Sequence, residues 1–292
     1  MINNQHQLKA LSLCAILGFG LLFTGCQEDV TEPSAIIDAD AATEARAIYS
    51  SRQVYFTRSN GQVSSSTASS DFGNVSGWDA GATYISSNTL RITLAANVVG
   101  TSGGMESRID VSDGTEYWLE YKVRFHSQFD WSRGGKVGWG FQVGDGVTGC
   151  RASDAQAGNG GSMRAMWYSP NSSDSRVYFQ PYLYHQGMTS NCGESFGATY
   201  PSSGALSRGT WYTIGFYMKS NTGSSYNGTA EMKVNGSTVL RRDNIKWASS
   251  DSKRKVKGLY YSVFRGGSQS YWGSGSTGYI YFDDLKWARI SS

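Results

Sequence analysis

Short stretches of alternating apolar and polar residues recur along most of the chain and predict β-strands. Each stretch is bounded by clusters of Gly, Ser, Asn and Asp, which are typical of turns. No long stretch has the 3.6-residue period of a helix. The strand-like stretches are 89–94, 117–126, 136–143, 162–168, 176–185, 211–219, 230–234, 259–265 and 279–287. The dipeptide Asn235-Gly236 between two such stretches is a strong hairpin signal. The pattern predicts an all-β protein, a two-sheet antiparallel sandwich of the β-jelly-roll type.

Three of these stretches carry similar polar chemistry on one of their two faces. Period-two alternation places one set of side chains toward the core and the other set on the opposite face of the sheet. That opposite set comprises Lys136, Gly138, Gly140 and Gln142, then Ser162, Arg164, Met166 and Tyr168, then Tyr178, Gln180, Tyr182 and Tyr184. If the three strands are neighbours, they build a concave groove for a polar, planar, anionic ligand such as a sugar acid. The glycines after Lys136 are expected to leave space above the sheet for that ligand. A merely solvated face is the alternative, and the repeat on three strands favours the groove.

Composition and charge narrow the class of protein. The chain has 292 residues, of which 13% are aromatic and 17% are charged, too aromatic for disorder and too weakly charged for a coiled coil. Residues 1–50 hold two of the basic and six of the acidic side chains, so residues 51–292 have a net charge of +7 against +3 for the chain. This charge favours an anionic partner. No basic tract or recognition helix is present, which argues against nucleic acid as the partner.

The N-terminal segment reads as an export signal. Lys9 precedes an apolar run over 10–23, and the small residue Gly25 precedes Cys26, a pattern typical of a secretory signal. This context resembles a bacterial lipobox, which implies cleavage before Cys26 and its lipidation. We therefore predict a signal peptide over 1–25, an acidic tether over 26–50 and the folded domain over 51–292. The predicted product is an exported, monomeric lipoprotein of the outer membrane or cell surface, held to the membrane only by its lipid anchor. An ordinary signal peptide with an incidental cysteine is the alternative.

The cysteines predict a disulfide, and a pair of acidic residues is a candidate calcium site. Cys150 and Cys192 remain after the signal and the lipidation site are set aside, and in an oxidising compartment a disulfide between two loops is the favoured reading. No His or Cys lies at ligand spacing beside either of them, so no metal site and no required cofactor are predicted. The pair Asp283-Asp284 is the candidate for a structural Ca²⁺, although two acids do not complete a coordination shell.

An ordered set of short motifs resembles the jelly-roll polysaccharide lyases. The motifs lie at 125–129, 133–138, 161–168, 182–185, 264–268 and 279–285. The nearest group by these motifs is the short ulvan lyases of polysaccharide lyase family 28, and the alginate and glucuronan lyases of families 14 and 20 are more distant. The resemblance spans roughly residues 50–290 and implies β-elimination on a uronic-acid polymer. Endolytic cleavage is expected because an open groove admits the interior of a polymer chain. Ulvan is the preferred substrate, with glucuronan or alginate as alternatives.

The family 14 pattern also implies roles for particular residues. A lysine in a Gly-Gly-Lys strand, a Ser-x-Arg pair and a Tyr-x-Tyr pair map onto Lys136, Ser162 with Arg164, and Tyr182 with Tyr184. Lys136 is then the base or the group that neutralises the substrate carboxylate. Arg164 binds the carboxylate or a sulfate through its planar fork. Tyr184 or Tyr182 donates the proton to the leaving oxygen, or serves as the base if Lys136 neutralises.

Other polar residues are candidates for contacts with the sugar chain. Ser162 and Gln180 are expected to orient hydroxyl groups, and Arg265 to hold a flanking sulfate or carboxylate. His126 is a second-choice candidate for neutralising the substrate carboxylate. His185 ranks below the tyrosines because alternation places it on the core register. The full set of predicted binding residues is Ser162, Gln180, Tyr178, Gln142, His126, His185 and Arg265. Tyr279 and Tyr281 are weaker candidates, since final-strand tyrosines usually pack.

Two functions of other classes compete with the lyase. A non-catalytic carbohydrate-binding lipoprotein would use the same fold and groove, but it would not need a cluster of Lys136, Arg164 and Tyr184. A glycoside hydrolase would need two carboxylates on the groove face, and the alternation places none there.

Overall fold

The computed structural model describes residues 48–291, which form sixteen strands, three short α-helices and three single-turn 3-10 helices. The predicted signal peptide, Cys26 and most of the predicted tether lie outside the described residues, and the domain boundary stays a prediction. The strands are β1 Ser50–Val54, β2 Gly61–Gln62, β3 Val75–Ser76, β4 Thr83–Ser86, β5 Thr89–Leu94, β6 Met105–Gly114, β7 Glu116–Phe125, β8 Gly134–Lys136, β9 Trp139–Gly144, β10 Gly160–Tyr168, β11 Tyr178–Tyr184, β12 Trp211–Lys219, β13 Gly228–Val234, β14 Ser237–Ile245, β15 Val256–Arg265 and β16 Gly278–Ser291. The α-helices are α1 Ser65–Phe72, α2 Ala152–Gln156 and α3 Asp251–Arg254.

The strands form two antiparallel sheets, as the alternation predicts. The nine-stranded sheet has the order β14-β13-β12-β7-β16-β5-β4-β2, with β1 paired to β16. The seven-stranded sheet has the order β11-β10-β8-β15-β6-β3, and β9 follows β8 between β10 and β15. The two sheets enclose one core, so the all-β, two-sheet jelly-roll prediction is confirmed.

Aromatic side chains fill much of the space between the sheets. Trp139 on β9 stacks on Tyr261 of β15 with ring centroids 4.1 Å apart, and Phe282 of β16 meets Trp139 edge-on at 5.3 Å. Such aromatic pairs add about 0.5–1.5 kcal/mol to the burial of their area. All three rings are fully buried, so the core faces of the two sheets are locked together at the centre of the seven-stranded sheet.

Several predicted strands agree with the structure in position. The stretches 89–94 and 211–219 coincide with β5 and β12. Asn235 and Gly236 have φ of 49° and 79° and connect β13 to β14, which confirms the hairpin. The stretch 136–143 was predicted as one strand, but it is broken into β8 and β9 because Gly138 takes a φ of 84°.

Candidate active site

Lys136 lies at the centre of the seven-stranded sheet. It ends β8, where its cross-strand partners are Met166 on β10 and Phe264 on β15. Its side chain is 6% exposed, and its Nζ atom lies 3.7 Å from the centroid of the Tyr182 ring. Burial lowers the pKa of Lys136 well below that of an ordinary lysine, and the positive charge of Arg164 lowers it further. A lysine with a lowered pKa has a neutral amine, which can accept a proton, at a pH where an ordinary lysine is charged.

Arg164 lies on β10 directly across from Tyr182 on β11. Its guanidinium lies between two rings, 5.9 Å from the centroid of Tyr182 and 5.6 Å from that of Tyr260. The residue is 3% exposed, its Nε has no partner, and no hydrogen bond or ion pair reaches its side chain from the described part of the chain. Burial lowers its pKa, yet an arginine keeps its charge in proteins. A buried cation with unfilled donors is suited to a carboxylate.

Arg164 belongs to a row of side chains that crosses the seven-stranded sheet. Pairing registers place Arg108 of β6 beside Tyr260 of β15, and Tyr260 beside Gly140 of β9. The row continues to Arg164 and Tyr182, and Arg108 lies 5.0 Å from the centroid of Tyr260. Cations and aromatic rings therefore alternate along the row, which presents positive charge and flat apolar surface together.

The glycines after Lys136 do not leave space for a ligand, which corrects the sequence-based expectation. A Cβ atom at Gly140 would lie 2.9 Å from Cγ of Arg164, so the space over this glycine is filled by the arginine. A Cβ at Gly138 would lie 2.3 Å from the ring of the core residue Tyr121. These glycines allow Arg164 and Tyr121 to approach the backbone closely, and they contribute to the site only through Arg164.

An acidic residue, Glu106, lies near the two cations. It pairs with Ser262 across β6 and β15, and Oγ of Ser262 donates to Oε1 of Glu106 at 3.5 Å. Its negative charge raises the pKa of Arg164 and of Lys136, against the effect of burial. Glu106, Arg108 and Tyr260 were missed by the sequence analysis. The predicted strands do not include β6, which carries Glu106 and Arg108. Tyr260 lies in the predicted strand 259–265, and its alternation with its neighbours would have placed it on the site face.

The two tyrosines of the Tyr-x-Tyr pair have different environments. Tyr182 is half-buried on the site face, and burial raises its pKa above the ordinary value, so its hydroxyl stays protonated. Tyr184 is fully buried, and its hydroxyl accepts the backbone N–H of Cys150 at 2.8 Å. It packs with Val147, Ala155 and neighbouring apolar residues in a small second cluster. Tyr182 is therefore the better placed candidate for the proton donor, and the role of Tyr184 stays a prediction.

Ser162 is covered by the same loop as Tyr184. Its Oγ donates to the carbonyl of Val147 at 2.7 Å, and the residue is fully buried. The prediction that Ser162 orients a sugar hydroxyl is wrong, because the loop between β9 and β10 folds over this end of the strand. Sequence alternation places Ser162 on the correct face but does not show the loop that covers it.

The remaining predicted binding residues of the three strands differ in availability. Gln180 and Tyr178 on β11 are partly exposed, and Tyr178 meets Tyr168 of β10 edge-on at 5.7 Å. They extend the site face beyond Lys136 and stay predicted sugar contacts. Gln142 is partly exposed on β9, and its Nε2 donates to the carbonyl of Gly144 at 3.3 Å. Its amide therefore already has a partner in its own strand.

His185 and Arg265 are both buried and contact other groups of the protein. Nε2 of His185 lies 3.0 Å from Oε2 of Glu194, and burial lowers the pKa of this histidine. Arg265 is 1% exposed on the core side of β15 and donates to the carbonyl of Asp130 at 2.8 Å. Burial lowers its pKa to about 10. The predicted role of Arg265 as a sulfate or carboxylate ligand is wrong, because its side chain is buried on the core side of the sheet. His185 lines a cavity of about 610 Å³ together with Glu194, and its role as a sugar contact stays a prediction.

His126 lies on the other sheet. It follows β7 and packs against Tyr279 and Tyr281 of β16, with ring centroids 5.9 and 6.2 Å away. These residues are on the outer face of the nine-stranded sheet, opposite to its core face. The prediction that His126 neutralises the carboxylate at the reacting centre is therefore wrong.

The predicted disulfide is present and borders the site. Cys150 and Cys192 are bonded across a sequence separation of 42 residues, and they connect the loop after β9 with the loop after β11. The adjacent Gly193 backs Tyr182, because a Cβ there would lie 2.5 Å from the tyrosine ring. The disulfide thus holds the backbone that supports one face of Tyr182.

Removing this disulfide should lower both stability and activity. For the double variant Cys150→Ser, Cys192→Ser we expect about 2–4 kcal/mol less unfolding free energy, since closure of the loop no longer restricts the unfolded chain. Melting temperature by calorimetry and kcat below the melting transition test this. An unchanged melting temperature, or a fall in stability with full activity, would contradict the proposed support of Tyr182.

Residues 48–291 contain neither a cluster of metal-binding side chains nor a helix that could span a membrane. No group of three or more His, Cys, Asp or Glu side chains within this range is placed to hold a metal ion. Asp284 forms an ion pair with Lys122 at 2.6 Å. The structural Ca²⁺ at Asp283-Asp284 stays a prediction. No helix in the same range is long and apolar enough to cross a membrane.

Comparison with known proteins places this arrangement among lyases. The family model described as Polysaccharide lyase 14 matches residues 84–285. The solved structure of alginate lyase Aly36B is 49% identical over 84% of this chain and 99% of its own, with a TM-score of 0.79. A variant of that lyase with a lysine and a tyrosine replaced by alanine has been solved in complex with an alginate tetrasaccharide (48% identity, 84% and 99% coverage, TM-score 0.80).

More distant structures share the fold. The PL-14 alginate lyase from Aplysia kurodai is 19% identical over 82% of this chain and 98% of its own, with a TM-score of 0.61. No curated protein matches the chain. The comparisons support the family 14 part of the resemblance and give no support to the ulvan lyases of family 28.

Proposed function

The chain belongs to the polysaccharide lyase 14 family, a premise from which we propose that this lyase cleaves alginate by β-elimination. The observation that carries the proposal is the buried cluster of Lys136, Arg164 and Tyr182, in which two basic side chains lie against one tyrosine ring. The likeness to alginate lyase Aly36B, at 49% identity, supports alginate over ulvan or glucuronan.

Arg164 prepares the substrate for proton loss. The C5 proton of a uronate is weakly acidic while the adjacent carboxylate carries its full negative charge. Arg164 has unfilled donors in a buried position, so a carboxylate there receives charge-assisted hydrogen bonds that water does not screen. These contacts strengthen as charge moves toward the carboxylate in the transition state, which is the condition for catalysis.

Lys136 is the proposed base. Its lowered pKa gives a neutral amine at a pH where an ordinary lysine is charged, and a neutral amine has the lone pair that removal of the C5 proton requires. Tyr182 is the poorer base because burial raises its pKa and opposes formation of the phenolate. The opposite directions of the two pKa shifts separate the two roles.

Tyr182 is the proposed acid. The C5–H bond breaks and its proton moves to Nζ of Lys136. The electron pair forms the C4–C5 double bond, the C4–O4 bond breaks, and the Tyr182 hydroxyl gives its proton to O4. Lys136 and Tyr182 are in contact, at 3.7 Å from Nζ to the ring centroid, so one sugar residue can meet both groups.

We further propose that cleavage is endolytic. The row from Arg108 to Tyr182 crosses five strands, and Arg108 at one end is exposed, while Tyr178 and Gln180 extend the face along β11. A polymer is thereby supplied with contacts on both sides of Lys136. Export, lipidation of Cys26, a monomeric state and the absence of a required cofactor stay predictions from the sequence.

The test is a panel of polymers. Purified residues 51–292 are incubated separately with alginate, glucuronan and ulvan, and the ultraviolet absorbance of the new C4–C5 double bond is followed. We expect a rise with alginate and a product mixture that begins with long oligomers. A rise with ulvan or glucuronan alone would overturn the substrate while keeping the lyase chemistry, and early release of only the shortest products would overturn the endolytic mode.

A further inference from the structure

A second row of cations and aromatic rings crosses the outer face of the nine-stranded sheet. Direct cross-strand partners on five adjacent strands define this outer strip, which consists of Trp211, Arg124, Tyr281, Arg91 and Tyr84. All five side chains are partly exposed. The strip lies on the opposite sheet from Lys136, so it is separate from the candidate active site.

Both arginines of the strip are held between rings. Arg124 lies 4.8 Å from the centroids of Trp211 and of Tyr281. Arg91 lies 4.6 Å from the centroid of Tyr84 and 4.9 Å from that of Tyr279. The rings fix each guanidinium and remove part of its hydration, which lowers the cost of ordering it around a ligand.

The strip arginines lack acidic partners among the described residues, whereas several other cations of this sheet have them. Within the described residues no carboxylate pairs with Arg91 or Arg124, and the Nε atom of each is buried without a partner. Elsewhere on the sheet, cation–carboxylate pairs are Lys122 with Asp284, Lys233 with Glu231, Arg241 with Glu231 and Asp243, and Lys286 with Glu120. The strip therefore presents guanidinium groups that are available to an external anion.

The spacing also suits a polymer. One strand, β16, separates Arg91 on β5 from Arg124 on β7, so the two lie about 10 Å apart. A cavity of about 250 Å³ next to Arg124 is lined by His126, Ser127, Gly209 and Tyr281. His126 and Tyr281, which lie outside the candidate active site, are therefore placed to contact a ligand at the outer strip.

We propose that the outer strip is a second binding site for the anionic polysaccharide, in which Arg91 and Arg124 hold carboxylates and the rings pack against sugar faces. Such a site keeps the enzyme on a polymer while the groove cuts it, which raises the effective substrate concentration at the groove. The inference rests on the proposed function only for the identity of the polymer.

The experiment compares polymer with oligomer binding in a protein that cannot cut. In a Lys136→Ala background, the double variant Arg91→Gln, Arg124→Gln is run in gels that contain alginate, and its affinity for a short alginate oligomer is measured by calorimetry. The matched control is Arg58→Gln, Arg241→Gln, which removes the same charge from arginines that already pair with carboxylates. We expect the strip variant to bind polymer roughly 5- to 25-fold more weakly, with oligomer binding unchanged and the control within about twofold of the parent.

The outcomes separate this inference from the proposed function. Equal polymer affinity in the strip variant and its parent would overturn the strip, as would an equal loss in the control, which would show a net-charge effect. If the parent binds ulvan or glucuronan instead of alginate, the substrate proposal fails and the same comparison on that polymer tests the strip. Arg91→Lys, Arg124→Lys keeps the charge but not the planar fork, so an intermediate loss supports the proposal if the double glutamine variant does not fold.

Discussion

Replacing Lys136 with alanine should lower kcat on alginate by about 10²–10⁴-fold, because the base that removes the C5 proton is lost. Substrate affinity should change much less, since Arg164 and the aromatic rings remain. Initial rates from the ultraviolet absorbance of the unsaturated product, with binding of a short oligomer measured separately, test this. Lys257→Ala is the matched control. This lysine lies on β15 of the same sheet, one-third exposed and 3.6 Å from Asp113, and its loss should leave kcat unchanged.

The pH dependence distinguishes a base from a neutraliser. If Lys136 is the base, the rate rises with pH through its lowered pKa and levels off above it, since only the neutral amine accepts a proton. Glu106→Gln removes the negative charge that raises this pKa, so the rising limb should move to lower pH. A limb that does not move, or a Lys136→Ala variant with nearly full kcat, would overturn the assignment of Lys136 as the base.

Replacing Tyr182 with phenylalanine should also lower kcat by about 10²–10⁴-fold, because O4 then leaves without a proton donor. Phenylalanine keeps the ring that contacts Lys136 and Arg164, so the loss is confined to the hydroxyl. The same absorbance assay measures it. A substrate with a better leaving group at C4 should lose less activity, which separates proton donation from general damage to the site.

Tyr184→Phe is the internal control for this prediction. Its hydroxyl is fully buried and accepts the N–H of Cys150, so kcat should fall much less than in Tyr182→Phe. Stability should fall by about 1–3 kcal/mol, because the N–H of Cys150 loses its acceptor. If Tyr184→Phe abolishes turnover while Tyr182→Phe does not, the roles of the two tyrosines are reversed.

Local alternation determines which side chains of a strand lie on the core face and which lie on the opposite face. The side chain of each successive strand residue points to the opposite face, and one face must be buried, so the sequence alone separates Lys136 and Arg164 from Trp139 and Phe141. The structure agrees for these residues, since the two rings are in the core and the two basic side chains are on the site face. The hairpin at Asn235-Gly236 is a local property of the same kind, since it depends on two residues that tolerate positive φ.

Local alternation does not show which segment from a distant part of the chain covers a strand. Tyr184 and Ser162 are on the predicted face, but the loop that carries Val147 and Cys150 lies over them. Glu106, Arg108 and Tyr260 join the site through the pairing of β6 with β15. These strands are far from Lys136 in sequence, and their order in the sheet is decided by tertiary packing.

The sequence by itself therefore determined the two-sheet fold, the disulfide and the pair of basic side chains at the centre of the site, because each depends on period-two geometry, a local motif or the cysteine inventory. Only the tertiary structure decided which tyrosine faces the groove, that His126 belongs to the opposite sheet, and that Arg91 and Arg124 line up across strands. The physical reason is that burial and cross-strand register depend on contacts between residues distant in sequence, and no local pattern specifies those contacts.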